Sequence, residues 1–423
     1  MSTALLTDRY ELTMVQAALR SGKSERKTVF EVFTRNLPPG RRFGVFAGVG
    51  RLIAAIEDFR FEKPELEFLQ ANDIIDAKTA NWLENFRFSG SIHGYREGEL
   101  FFANSPVLTV EGTFAEAVIL ETLILSILNY DSAVASAGAR MRFAAGNRYL
   151  AEMGARRANE HAAVAAARAA FIVGFDATSN LEAGRSYGVP TMGTSAHSFT
   201  LLHDTETDAF QSQIEVMGVD TTLLVDTYDV EKAVREAVRL TDGKIAAVRL
   251  DSGDLSVAAT KVRELLDSLG AKDTKIVVTS DLDENTIAGL AAAPVDRYGV
   301  GTSLVTGSGH PTVGFVYKLV SHADGDSWVD VAKESRNKTN RGGKKSAARS
   351  VVDGTAIAEL VGSDSAGRAL QVAMILNGKA DASAMGPKGV LAAREHHLKV
   401  LKELPAAAFR LSSGEPAIPT TFV

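Results

Sequence analysis

From about residue 147 onward, short apolar runs alternate with longer amphipathic segments. The runs are rich in Val, Ile, Leu, Phe and Tyr, which favours β-strands, whereas the segments repeat apolar residues every three or four positions, as helices do. Such alternation is typical of β-α units whose strands pair in parallel. The pattern predicts outer helices at 158–170, 204–217, 230–240, 255–269 and 283–292, and strands at 148–150, 171–175, 189–192, 222–225, 245–248, 275–278 and 297–300, with an eighth candidate at 314–317.

The two ends of the chain have a different pattern. Residues 1–115 predict one helix at 10–20, a strand at 28–34 and short strands in the glycine-punctuated passage 88–114. Near the C-terminus, strands are predicted at 328–332, 356–361 and 370–375, and a helix at 390–401. Strands without helices between them favour antiparallel sheets. We therefore expect an α/β protein in three segments: the N-terminal part of a β-rich lobe at 1–130, an α/β barrel at 131–320, and a C-terminal part at 321–423 that returns to the lobe.

The composition excludes several kinds of chemistry. The chain has 423 residues, of which 45% are hydrophobic and 23% charged, as in globular proteins. It has no cysteine, so disulfides, thiolate nucleophiles and sulfur-ligated metals are excluded. The net charge of −6 offers no field that would gather nucleic acid. Residues 1–13 do not resemble an export signal, and the apolar stretch 117–130 is interrupted by Glu121, so we expect a cytoplasmic protein without a membrane span.

Each predicted strand of the middle segment ends in small, hydroxyl or charged residues. In a barrel of parallel strands these ends lie on one face, so separate short motifs form one site there. Glycine lets backbone N–H groups approach a ligand oxygen, and a following helix N-terminus favours an anion, although such turns are also common as simple N-caps. The motifs lie at 154–157, 176–180, 193–197, 226–229, 249–254, 279–281 and 301–303, and those containing Thr194, Gly301 and Thr302 are candidate phosphate sites.

His197 is the strongest catalytic candidate. A neutral imidazole held by a carboxylate on one nitrogen can attack a phosphoryl group with the other, and Asp226 at the next strand end is the expected holder. The alternative is a core histidine bonded to backbone. Arg249 and Asp251 alternate on one strand end, so their side chains point the same way, either to bind an anion and sugar hydroxyls or as a structural ion pair.

Two further groups of cations are candidates for anion binding. Arg156 and Arg157 form either an anion clamp or a solvated charge pair. Lys338, Lys344 and Lys345 lie in a glycine-containing loop, which is either solvated surface or a phosphate-binding flap.

Together these residues resemble the nicotinate phosphoribosyltransferases. The similarity runs through most of the chain and covers several blocks in the family's order, at 6–14, 35–40, 154–157, 178–180, 193–199, 225–229, 249–255, 299–302 and 317–320. The resemblance implies the type II phosphoribosyltransferase fold, an irregular (β/α) barrel beside an α/β sandwich lobe, in a homodimer. It also implies transfer of phosphoribosyl from 5-phosphoribosyl 1-pyrophosphate to nicotinate, with Mg²⁺ and with ATP as a co-substrate that phosphorylates the histidine.

The resemblance assigns roles by position. His197 would carry the phosphoryl group with Asp226 as its partner, and Asp251 would contact the ribose or the metal. Tyr10 would stack on the pyridine ring. The remaining candidates would bind substrate: Thr194 and Arg249 near nicotinate and ribose, Arg156, Gly301 and Thr302 at phosphates, together with Asp281 and Ser179.

Three positions bear on substrate preference. Ser179 stands where relatives that use nicotinamide carry an aspartate, and its neutrality favours the carboxylate of nicotinate. Met153 stands where relatives usually have a phenylalanine against the ring, and Ala177 replaces a usual glycine.

Two other functions stay open, and a third is weaker. One is the same transfer to nicotinamide, and another is a barrel that binds nucleotide without turnover. An aldolase-type barrel would need a buried Schiff-base lysine at a strand end, which the sequence does not offer.

Overall fold

The computed structural model describes residues 2–333, 341–363 and 365–423. Two compact units are found, one formed by Met1–Ser136 with His310–Val423 and the other by Ala137–Gly309. Its strands in chain order are β1 (Lys27–Thr34), β2 (Gly44–Val45), β3 (Ser91–Tyr95), β4 (Leu100–Phe101), β5 (Leu108–Thr113), β6 (Tyr149–Glu152), β7 (Ala177–Thr178), β8 (Thr222–Leu224), β9 (Ala247–Leu250), β10 (Lys275–Val278), β11 (Arg297–Val300), β12 (Phe315–Asp324), β13 (Ser327–Asp330), β14 (Ser346–Val352), β15 (Thr355–Gly362), β16 (Arg368–Ala369), β17 (Gln371–Leu376), β18 (Lys379–Ala380) and β19 (Thr420–Phe422).

The α-helices follow the same order along the chain. They are α1 (Arg9–Ser21), α2 (Val49–Glu57), α3 (Lys63–Ala71), α4 (Ala77–Glu84), α5 (Phe114–Val118), α6 (Glu121–Ala145), α7 (Glu160–Ile172), α8 (Leu181–Tyr187), α9 (His197–Leu202), α10 (Glu206–Met217), α11 (Val230–Leu240), α12 (Leu255–Ser268), α13 (Glu284–Gly289), α14 (Thr302–Val305) and α15 (Gly386–Val400). Short 3₁₀ turns lie at Ala155–Arg157, Leu290–Ala292, Ala382–Ala384, Leu401–Glu403 and Ala406–Phe409.

The first unit is built from both ends of the chain, as the sequence predicts. Its seven-stranded sheet has the order β13-β12-β1-β5-β3-β17-β18, with antiparallel pairs throughout. Strands from before residue 114 therefore lie between strands from after residue 314. A second sheet has the order β16-β14-β15-β19.

Two expectations for this unit need correction or stay open. The sequence predicts one helix before residue 115, whereas α1, α2, α3 and α4 all precede β3. Lys344 and Lys345 form ion pairs with Glu111 and Glu31, at 2.8 and 2.9 Å between nitrogen and oxygen. Lys338 lies outside the described residues, and the flap stays a prediction.

The most apolar helical segment is a core element. Residues 114–145 are long and apolar enough to cross a bilayer by length and composition, with a mean hydropathy of 1.5 in the most apolar window. However, 67% of that window is buried inside the protein. Leu123, Ile124 and Leu128 of α6 belong to the hydrophobic core of the first unit.

The second unit contains one parallel sheet of six strands, ordered β7-β6-β11-β10-β9-β8. The predicted strands at 275–278 and 297–300 are confirmed residue for residue, and those at 148–150, 222–225 and 245–248 are confirmed with shifted ends. The predicted helices are confirmed too, although the one at 283–292 is α13 followed by a 3₁₀ turn. The sequence missed the short helices α8, α9 and α14.

Two strand predictions in this region are wrong, and a third predicted strand belongs to a different sheet. Residues 171–175 end helix α7 and its turn, and the strand follows at β7. Residues 189–192 contribute one bridge, between Thr191 and Thr178, rather than a strand. The eighth candidate, 314–317, begins β12, which pairs with β1 in the antiparallel sheet of the first unit. The second unit therefore ends before residue 310.

Candidate active site

The carboxyl ends of the parallel strands line up along one edge of the sheet. Register pairs Glu152 with Val300, and Val278 with Leu250, while Leu224 lies opposite Arg249. The residues that follow each strand therefore leave the sheet at the same level. This edge carries the predicted motifs of the second unit.

His197 is the first residue of α9, at the end of the Gly-Thr-Ser-Ala-His motif. Its Nδ1 atom lies 3.1 Å from the hydroxyl of Thr227. Its Nε2 atom lies 3.8 Å from Asp226 Oδ1 and 4.0 Å from Asp251 Oδ2. With 39% of its side chain exposed, the imidazole faces two carboxylates and remains accessible to a ligand.

Asp226 is fixed in place by the neighbouring strand end. Only 4% of its side chain is exposed. Its Oδ2 accepts hydrogen bonds from the backbone N–H of Asp251 at 2.7 Å and from the hydroxyl of Ser252 at 2.8 Å. Its Oδ1, which faces His197, has no hydrogen-bond partner among the described residues. The predicted partner, Asp226, is therefore adjacent to the imidazole, but its distance of 3.8 Å from Nε2 is too long for a hydrogen bond. The imidazole is hydrogen-bonded to Thr227 instead, through Nδ1.

Arg249 connects the histidine motif to the next strand end. Its guanidinium donates to the hydroxyl of Thr194 and, at 3.3 Å, to the carbonyl of Ser195. Its Nη2 lies 3.8 Å from Asp251 Oδ1, so the two side chains point the same way, as predicted. Burial lowers the pKa of Arg249, while the carboxylates of Asp251 and Asp226 oppose that change. An arginine remains a cation even when its pKa is lowered by burial, so Arg249 places a buried positive charge beside the carboxylates of Asp251 and Asp226.

Thr279 lies in the predicted motif at 279–281, but the sequence analysis gave it no role of its own. It follows β10 and donates its hydroxyl to Asp251 Oδ1. The only sequence signal for it was its place directly after a predicted strand.

Arg156 is exposed on the loop that follows β6, and Thr302 is exposed at the start of α14, directly after the loop that follows β11. Arg156 lies close enough to Arg249 for its charge to lower the pKa of that residue. The two loops are packed together at Gly154, where an added Cβ would lie 2.3 Å from Val305 Cγ1 and 3.0 Å from the carbonyl oxygen of Gly301. Glycine is required at this position because a side chain would force the loops apart.

The remaining candidates are less closely connected. Ser179 and Asp281 are exposed after β7 and β10, and no side-chain contact joins them to His197 among the described residues. Tyr10 belongs to the first unit, where it lies on α1 with 46% exposure, and where burial and the nearby carboxylate of Glu121 raise its pKa. Its contact with a substrate ring stays a prediction.

Comparison with known proteins decides the family. A model of the nicotinate phosphoribosyltransferase N-terminal domain matches residues 5–129, and a model of the nicotinate phosphoribosyltransferase family matches residues 149–362. The chain belongs to the nicotinate phosphoribosyltransferase family. The family match at 149–362 includes every predicted site residue except Tyr10, which lies in the N-terminal match.

Individual relatives support this assignment. The chain is 52% identical to a nicotinate phosphoribosyltransferase of Mycobacterium tuberculosis, over 98% of this chain and 94% of that protein. It is 39% identical to the nicotinate phosphoribosyltransferase of Bacillus subtilis, over 79% of this chain and 70% of that protein.

Similarity to solved structures confirms the fold class predicted for this chain, the type II phosphoribosyltransferase fold. Human nicotinic acid phosphoribosyltransferase has a TM-score of 0.84 at 24% identity, covering 98% of this chain and 97% of that one. Nicotinate-nucleotide pyrophosphorylase from Pyrococcus furiosus has a TM-score of 0.76 at 25% identity, covering 95% of each chain.

Proposed function

We propose that this protein transfers the phosphoribosyl group of 5-phosphoribosyl 1-pyrophosphate to nicotinate, giving nicotinate mononucleotide and pyrophosphate in cytoplasmic NAD salvage. The observation that carries the proposal is the cluster of His197, Asp226, Arg249 and Asp251 at the strand ends. Similarity to enzymes of this name over nearly the whole chain supports it.

In the transfer step, the bond from ribose C1 to the pyrophosphate oxygen breaks and a bond from C1 to the pyridine nitrogen forms. Negative charge develops on the leaving pyrophosphate and positive charge on the ribose ring. Catalysis therefore requires cations near the pyrophosphate and a carboxylate near the ribose. Arg249 and Arg156 supply positive charge beside the strand ends, and Asp251 supplies a carboxylate that could accept ribose hydroxyls. Tyr10 would hold the pyridine ring close to C1.

We further propose that ATP phosphorylates His197. The two carboxylates near Nε2 favour the tautomer with its proton on that nitrogen, which leaves the lone pair on Nδ1. When ATP displaces the Thr227 hydroxyl from Nδ1, that nitrogen attacks the γ-phosphorus, the bond to ADP breaks, and water later cleaves the N–P bond to release phosphate. The phosphoryl charge would alter binding at the pyrophosphate subsite, so that ATP tightens substrate binding and aids product release.

The residues fit a magnesium ion that arrives with the phosphates. Among the described residues no group of three His, Cys, Asp or Glu could hold a metal ion alone. Mg²⁺ usually takes one or two carboxylates and completes its shell with water and substrate phosphates. Asp226, with an unpartnered buried oxygen, and Asp251 would supply those carboxylates. When bound, the ion would neutralise charge on the leaving pyrophosphate.

Nicotinate is favoured over nicotinamide because Ser179 carries no negative charge to repel the substrate carboxylate. Nicotinamide is the alternative substrate. We also propose that the protein acts as a homodimer, as the family resemblance implies.

The proposal is tested by measuring pyrophosphate release from phosphoribosyl pyrophosphate with nicotinate, nicotinamide or quinolinate, with and without ATP. Nicotinate should be the preferred base, and ATP should increase turnover. His197→Ala should abolish ATP hydrolysis and acid-labile phosphate on the protein while retaining slow transfer without ATP. The matched control is His161→Ala, an exposed histidine at the start of α7. Unchanged ATP hydrolysis in His197→Ala would refute the phosphohistidine.

A further inference from the structure

Glu152, the last residue of β6, is a fully buried carboxylate directly beside the site. Its Oε1 accepts the backbone N–H of Gly154 at 2.5 Å, and its Oε2 accepts the hydroxyl of Thr178 at 2.5 Å. The Thr178 oxygen in turn accepts the backbone N–H of Asn180 at 3.0 Å. One side chain thus joins the loop after β6 to the loop after β7.

This connection extends to the histidine motif through backbone bonds. The N–H of Thr178 donates to the carbonyl of Pro190, and the N–H of Met192 donates to the carbonyl of Thr178, each at 2.9 Å. Met192 directly precedes the segment that carries Thr194 and His197. In the other direction, Gly154 begins the turn that presents Arg156.

The chemistry of Glu152 is unfavourable for a residue that only fills the core. Its contacts in the described part of the chain are neutral donors, and burial raises its pKa while the two hydrogen bonds oppose the rise. A buried carboxylate without a cationic partner costs stability, so apolar packing would serve the fold better at this position. Its two short bonds fix the positions of two loop segments at once, which apolar packing does not do.

We propose that Glu152 is a positioning residue for the phosphoribosyl donor, holding the Arg156 turn and the segment leading to Thr194 in their binding arrangement. The inference rests on the proposed transfer reaction. The Glu152 side chain bonds to Gly154 and Thr178, and its effect on the donor passes through these two residues.

The test is Glu152→Gln, which keeps the size of the side chain. An amide has one acceptor oxygen and no charge. If that oxygen keeps the Gly154 N–H, the NH₂ group faces the Thr178 hydroxyl, which can then only accept, so neither bond keeps a carboxylate as its acceptor. Replacement of two carboxylate bonds by weaker neutral bonds predicts a KM for phosphoribosyl pyrophosphate raised about tenfold, with kcat changed by less than about threefold. Calorimetric titration with phosphoribosyl pyrophosphate should show the same loss of affinity.

Glu284→Gln provides the matched control. Glu284 is also a buried glutamate of the second unit, but it pairs with Arg140 at 2.9 Å and accepts from Ser308 at 2.7 Å. This variant should lower the melting temperature and leave KM for the donor unchanged. If Glu152 had a purely structural role, Glu152→Gln would behave like this control, with a lower melting temperature and an unchanged KM for the donor.

Thr178 offers a second, independent test. Thr178→Val removes the hydroxyl at nearly constant volume and should raise KM as Glu152→Gln does, whereas Thr178→Ser should restore near-normal KM. Combining Thr178→Val with Glu152→Gln should add little further effect, because both act on the bond between these two side chains. If Glu152→Gln fails to fold, this pair of threonine variants still decides the question.

Unchanged KM and affinity in Glu152→Gln, or in Thr178→Val, would overturn the inference. Failure of the proposed function would look different, because the wild-type protein would then not release pyrophosphate with nicotinate. In that case calorimetric binding of phosphoribosyl pyrophosphate by the wild-type and variant proteins still tests Glu152. Absence of any such binding to the wild-type protein would overturn both.

Discussion

Glu11 on α1 makes the stability of the first unit depend on pH in an unusual direction. The side chain is fully buried, and its Oε1 accepts the N–H and the hydroxyl of Thr122 near the start of α6, at 2.8 and 2.7 Å. Burial raises the pKa of Glu11 from 4.5 to about 7, while the bonds from Thr122 oppose that rise. The folded protein therefore keeps a proton on Glu11 over a pH range in which the unfolded chain has lost it.

The sign and size follow from proton binding. Between pH 4.5 and about 7 the folded state binds more protons than the unfolded state, so the free energy of unfolding falls as pH rises. One pKa unit corresponds to about 1.4 kcal/mol, so Glu11 costs the folded state about 3 kcal/mol above pH 7. Between pH 5.5 and 8.5 the change attributable to Glu11 is about 2 kcal/mol.

Glu11→Gln should remove this dependence. We expect urea unfolding to show that the stability difference, variant minus wild type, rises by about 2 kcal/mol between pH 5.5 and 8.5. Tryptophan fluorescence suits the measurement, because both tryptophans, Trp82 and Trp328, belong to the same unit as Glu11. Other titrating groups are common to both proteins and cancel in the difference.

Glu25→Gln, an exposed glutamate that follows α1, is the control and should leave the pH profile unchanged. Parallel profiles for wild type and Glu11→Gln across this pH range would refute the reasoning.

Two further predictions concern the second unit. In Gly299→Ala the new Cβ would lie 2.6 Å from both Met153 Sδ and Thr279 Cγ2, so we expect a loss of about 2 kcal/mol in unfolding free energy together with a lower kcat. Thermal unfolding and steady-state kinetics would measure the two effects, and wild-type values for both would contradict the prediction. In Arg249→Lys a single ammonium would not maintain the contacts to Thr194 and Ser195 that the guanidinium makes, so kcat/KM should fall about tenfold or more. Full activity of this variant in a kinetic assay would show that these contacts are dispensable.

Local sequence pattern was sufficient for several central strands. Residues 275–278 and 297–300 are short, mostly apolar runs bounded by turn residues, and the structure begins and ends β10 and β11 at those positions. Residues 171–175 have a similar composition, yet they complete α7 and turn at Gly174, whose φ is +106°. A short apolar run is equally compatible with a buried helix end and with a strand, so pattern alone could not separate them.

In the site, likewise, the sequence pattern identified candidate residues but not the contacts between them. The positions of His197, Asp226 and Asp251 after strands or in a glycine-containing turn identified them as candidates. The bond from Thr279 to Asp251 depends on the register between β9 and β10, which brings Val278 opposite Leu250. The contact of Thr227 with His197 depends on where α9 begins, which the sequence analysis missed. Both are set by tertiary packing, which no local pattern encodes.

The interleaved sheet of the first unit has a consequence for biosynthesis. Strand β1 lies between β5 and β12, and β3 lies between β5 and β17. Each of these two early strands therefore lacks one of its two neighbours until the ribosome has made β12, which begins at Phe315, or β17, which begins at Gln371. The parallel sheet of Ala137–Gly309 comes from one continuous stretch and can assemble while translation continues. A nascent chain halted before residue 315 would therefore expose the open edge of β1, a surface on which chaperones and aggregation would compete.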